Sequence, residues 1–137
     1  MRWIIKVKSL LTVEVPIMNT VNRLIIIVKE IRGECPVFKV GDRIVIEGPN
    51  IVPEKADALC VHALGSMLSL VIALGRGVSF QELGLAKEEG NVGYVQCLDP
   101  GPPYTLGGTV IFEIRRERLR EKHRASFLLK TREHGKA

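Results

Sequence analysis

The residues whose types could do chemistry are three cysteines, Cys35, Cys60 and Cys97. Each falls where an element is expected to begin or end, so a small fold can bring them together. Three thiolates with a fourth ligand can hold zinc or an iron–sulfur cluster, and unligated they can do redox chemistry. His62 is the nearest histidine. If Cys60 and His62 share a helix, about 100° per residue turns them some 200° apart, which excludes joint ligation. Core packing is the competing reading for Cys60, because free cysteine is among the most buried residue types.

Other chemistry is largely excluded. There is no phosphate-loop pattern, HExxH, CxxC or nucleophile elbow, and Gly75-Arg76-Gly77 reads as a helix exit rather than a dinucleotide fingerprint. No catalytic residue is assigned and no cofactor is required; an enzyme is the less favoured class. Asp42 and Asp99 lie in turn sequences, where aspartate ordinarily bonds its own backbone.

The chain has 137 residues, of which 46% are hydrophobic, sufficient for one domain without cross-links. An odd, scattered cysteine count is a poor disulfide framework, so a reducing cytoplasm is expected. The apolar run from Ala58 to Leu74 contains His62, Ser66 and Ser69 and is too short and polar to span a bilayer. Lys6 and Lys8 break the N-terminal apolar run, which argues against a secretory signal.

The net charge of +5 is unevenly placed. Residues 1–20 hold three basic and one acidic side chain, residues 21–115 nine and eleven, and residues 116–137 eight and three. The expected organisation is therefore an arm (1–20, with Met18 as an alternative start), one mildly acidic α+β domain (21–115) and a basic tail (116–137). A basic amphipathic helix in the tail can bind nucleic acid or an acidic partner; a solvated tail is the alternative.

Local patterning predicts the order ββαββ, a small antiparallel sheet covered by one long helix. Leu24 to Ile31 is β-branched and reads as a central strand, and Lys39-Val40-Gly41-Asp42 turns into a second over Arg43 to Glu47. Pro53, Glu54 and Asp57 mark a helix start, and Gly75 with Arg76 its end. Cys60, Leu64, Met67 and Val71 form the expected buried stripe, flanked by Ala63, Leu68, Leu70 and Leu74. The opposite strip of His62, Gly65, Ser66, Ser69 and Ala73 is small enough for close helix contact, as across a homodimer axis; a small polar strip facing solvent is the alternative. Ser79 and Glu82 suit a capping box, and Gly93 to Cys97 and Thr109 to Arg115 read as strands joined by a stiff proline-rich loop.

Gly33-x-Cys35-Pro36, Lys39-Val40-Gly41-Asp42, Leu59-Cys60-x-His62-Ala63-Leu64, Cys97-x-Asp99-Pro100 and Val110 to Arg115 together resemble a family of short bacterial and archaeal proteins. The resemblance spans about Arg23 to Arg116 and implies a compact domain without an established activity. Members often carry Gly-His where this chain has Val37-Phe38, and Pro where it has Leu98. The missing histidine removes a natural metal ligand. The leading expectation is a non-catalytic binding or assembly module acting as a homodimer; the rival is a metal-binding or thiol-redox protein.

Overall fold

A computed structural model describes residues 22–119. These form one α+β unit: strands β1 (Asn22–Gly33), β2 (Arg43–Glu47) and β3 (Asn50–Ile51), helix α1 (Val61–Gly75), then β4 (Val92–Gln96) and β5 (Gly108–Arg118). The expected class is present, with the two-residue β3 added beyond the expected order. The arm and most of the tail, including the expected tail helix beyond Leu119, lie outside the described residues. Arg116 to Arg118 belong to β5, which runs on past the expected end at Arg115.

The sheet order is β3-β2-β1-β5-β4, antiparallel throughout. Alternation decides its two faces. Leu24, Ile26 and Val28 of β1, Ile44 and Ile46 of β2, Val95 of β4, and Val110, Phe112 and Ile114 of β5 are buried in one core with α1. The register slips between Val28 and Glu30, so Lys29 is unpaired with β5 and Ile31 again turns toward the core. At the same place the Lys39–Asp42 turn closes onto β1: Val28 N donates to Asp42 O and Gly41 N to Val28 O, both at 2.9 Å. Asp42 holds the turn by accepting from Lys39 N at 2.8 Å.

The helix start departs from expectation. Pro53–Lys55 forms a separate 3-10 turn, Ala56 is extended, and α1 begins only after the extended cap Cys60. The cause is tertiary. Asp57 is bound to the start of β2, its carboxylate accepting from Arg43 N at 2.8 Å and its own N–H donating to Arg43 O at 2.9 Å. Residues tied to a strand in this way cannot continue a helical ladder. Cys60 therefore leaves the predicted stripe, whose buried members are Ala63, Met67, Val71 and Leu74, while Leu64 is half-buried and Leu68 exposed.

The other end falls where expected, with Gly75 the last helical residue and Arg76 its cap, and Gly77 closes it. Gly77 is left-handed (φ 96°), its N–H donates to Leu74 O and the Val78 N–H to Ala73 O, the paired bonds of a Schellman ending. Arg116 adds a side-chain cap, donating through Nη1 to Leu74 O at 3.1 Å and Val78 O at 2.6 Å.

Candidate functional site

All three cysteines lie at one end of the sheet. Cys35 follows the end of β1 and Cys97 the end of β4, and the pairs Gly33↔Gly108 and Gln96↔Ile111 place both beside the start of β5. Cys60 caps the N-terminus of α1, whose C-terminus is at the opposite end, where Asn22 Nδ2 donates to Gly75 O at 3.1 Å. Each thiol is free, half-buried and packed against the core. Cys35 Sγ accepts from Phe38 N at 3.4 Å.

Because Cys60 is extended, the helical argument that separated it from His62 does not apply. Even so, among the described residues no three His, Cys, Asp or Glu side chains come together in a group that could hold a metal ion. Asp99 is held below the ordinary carboxylate range chiefly by hydrogen bonds, its Oδ1 accepting from Thr105 Oγ1 and, at 2.8 Å, from Gly101 N, with the exposed His62 a lesser contributor. These bonds fold the Cys97–Gly107 loop back on itself, with Tyr104 and Thr105 N–H groups donating to Gly101 O. The loop expected to be stiff is thus closed on itself by its own hydrogen bonds. Asp99 also packs over Gly107, where a side chain would collide with the carboxylate.

The charged groups collect on the sheet face away from α1. Glu113 is buried there, accepting from Arg115 Nε at 2.6 Å and Tyr94 Oη at 3.3 Å, with Lys29 Nζ at 3.2 Å. Burial opposes its charge, but Arg115 and Lys29 outweigh this and hold its carboxyl below the ordinary range. Glu47 follows the same pattern: burial works against the charge, and Arg23 at 2.7 Å and Lys55 at 3.3 Å prevail. The 3-10 turn is held on this side by Lys55 and Asp57.

The outward face of α1 is different in kind. From Val61 to Gly75 the helix has no Asp, Glu, Lys or Arg. Val61 is 80% exposed, Leu68 47% and Ile72 69%. At about 100° per residue they lie side by side, next to Gly65. Leu98, 63% exposed, reaches from its loop to this stripe, its Cδ1 being 3.4 Å from where a Cβ on Gly65 would stand.

The expected interface strip is therefore only part of the outward face. His62, Gly65 and Ser69 are exposed, Ala73 is half-buried, and Ser66 is half-buried with its hydroxyl donating to Ala63 O at 2.7 Å. Of the large residues beside them, Leu68 was expected to flank the buried stripe, and Val61 and Ile72 were assigned to neither face. The width of the helix's apolar arc was the available signal: an arc broader than one sheet can cover must leave apolar residues outside.

An open concavity of about 560 Å³ lies between the Gly84–Gly90 segment and β4, lined by Leu85, Ala86, Val92 and Tyr94 with Lys87 and Glu88. No described helix is long and apolar enough to cross a membrane. No family model, curated protein or solved structure matches the chain.

Proposed function

We propose that this protein is a non-catalytic binding or assembly module that acts as a homo-oligomer through the outward face of α1. The observation that carries the reading is the exposed stripe of Val61, Leu68 and Ile72 on a helix without Asp, Glu, Lys or Arg. A helix with one face in water ordinarily places charged residues there. Contiguous apolar surface of this kind marks association sites, and charge depletion characterises interface centres.

Size-exclusion chromatography with light scattering on the full chain tests the reading. The expected mass is a multiple of 15.2 kDa, reverting to the single-chain value in a Leu68→Glu, Ile72→Glu variant with an unchanged circular dichroism spectrum. A strict monomer at high concentration overturns it.

A cysteine-dependent role is the second reading, supported by three free, half-buried thiols at the same end of the sheet. Thiol titration of anaerobically purified protein tests it; three unreactive thiols and no stoichiometric metal would remove it.

A further inference from the structure

The concavity beside β4 and the ion cluster around Glu113 share a border. Leu85 and Ala86 form one wall of the concavity, Val92 and Tyr94 the other. Gly93 and Val95 are buried on the α1 side, so by alternation Val92 and Tyr94 stand on the sheet face away from it. In the register with β5, Val92 lies opposite Arg115 and Tyr94 opposite Glu113. Residues opposed in this way carry their side chains on one face about 5 Å apart, which sets the cluster directly beside the concavity. Tyr94 belongs to both: it lines the concavity, and its hydroxyl donates to Glu113 Oε2 at 3.3 Å.

The cluster holds more positive than negative charge. Both oxygens of the buried Glu113 are taken, Oε1 by Arg115 Nε at 2.6 Å and Oε2 by Lys29 Nζ at 3.2 Å and by Tyr94. Arg115 and Lys29 are 52% and 56% exposed, and together they leave one positive charge beyond what Glu113 neutralises. Because Arg115 meets Glu113 through Nε, its two Nη groups make no hydrogen bond among the described residues. Those groups form the edge of a guanidinium that meets a carboxylate through two parallel N–H bonds. Lys29 reaches the cluster from the bulge in β1, a feature that re-aims a side chain.

The wall across from Arg115 has the other sign. Lys87 there is outnumbered by Glu88 and Glu89, so an anionic group is directed toward β5. Leu85, Ala86 and Val92 meanwhile offer apolar surface to an uncharged body. Concave sites with apolar walls and a few convergent polar groups are the usual form of small-molecule sites, and the volume of about 560 Å³ falls within their ordinary span of roughly 300–1,000 Å³.

We propose that this concavity binds a small organic monocarboxylate, its apolar body between Leu85 and Val92 and its carboxylate on the Nη groups of Arg115, with Lys29 adding charge from β1. The site lies on the sheet face away from α1 and does not depend on the homo-oligomer reading.

The test titrates the full chain, isotope-labelled for amide NMR, with benzoate, benzamide and inorganic phosphate. Benzoate is expected to give saturable shifts centred on Leu85, Val92 and Tyr94. Benzamide, which keeps the ring and lacks the charge, is expected to bind about tenfold or more weakly, as loss of a charge-assisted bidentate pair requires. Arg115→Gln should weaken benzoate to the same degree. That change also loosens Glu113, so Val92→Glu provides a second variant; Val92 is 39% exposed, the fold tolerates the change, and the added carboxylate repels the probe. Circular dichroism confirms that both variants are folded. Benzamide binding as tightly as benzoate would show that the charge plays no part, and phosphate giving the same shifts at the same affinity would show that the apolar walls play none. Either result overturns the proposal, as does the absence of saturable shifts at these residues or benzoate binding that neither variant weakens.

Discussion

Arg116 lies over the ring of Phe80, its guanidinium carbon 5.2 Å from the ring centroid. The same side chain donates to the carbonyls of Leu74 and Val78 and, through Nε, to Asn91 Oδ1 at 3.2 Å. One cation thus joins the end of α1, the turn after it, the approach to β4 and the strand β5. Phe80 beneath it is fully buried. The charge sits at a helix C-terminus, where the helix dipole favours a cation.

Arg116→Ala is expected to destabilise the fold by about 1–3 kcal/mol, combining a cation–π contact with charge-assisted hydrogen bonds to carbonyls. Urea unfolding measures it. Arg116→Lys retains the charge but not the planar fork and recovers only part of the loss.

Gly93 faces the same ring from β4, and a Cβ there would collide with Phe80. Gly93→Ala is expected to cost about 1–3 kcal/mol by overpacking. Adding Phe80→Leu relieves the collision, so the double variant should be more stable than the sum of the single changes predicts. Thermal unfolding of the three variants checks this; strict additivity would contradict the contact.

Glu113 sets an acid limit. Its folded-state pKa lies below the ordinary 4.5, because Arg115 and Lys29 overcome its burial. A depressed carboxyl contributes in full above the unfolded-state pKa and loses that contribution as the pH falls through the folded-state value. The melting temperature should therefore fall on acidification below about 4.5, with a smaller contribution from Glu47 reduced by its partial exposure. Glu113→Gln should lower stability at neutral pH and flatten the acid limb. An acid limb unchanged by Glu113→Gln would contradict the assignment.

Much of the fold was legible because its cues are local. The β-branched run from Leu24, the Gly41-Asp42 turn, and the alternation of Val110, Phe112 and Ile114 each specify conformation through nearby residues. Ser79 was legible in part: its Oγ accepts from Gln81 N and Glu82 N, but its hydroxyl goes to Glu89 rather than completing a box with Glu82. The start of α1 was not legible, because Pro53 and Glu54 suit a helix and only the bonds between Asp57 and Arg43, in another element, forbid one.

The candidate site divides along the same line. From sequence alone came a long helix, its strip of small residues and three cysteines at element ends, since composition and spacing are properties of the chain itself. Which apolar residues of that helix face outward was decided by the tertiary structure. Packing on the sheet chose Ala63, Met67, Val71 and Leu74 and left Val61, Leu68 and Ile72 in solvent. Periodicity gives the width of an apolar arc, but only the partner surface determines how much of that arc is covered.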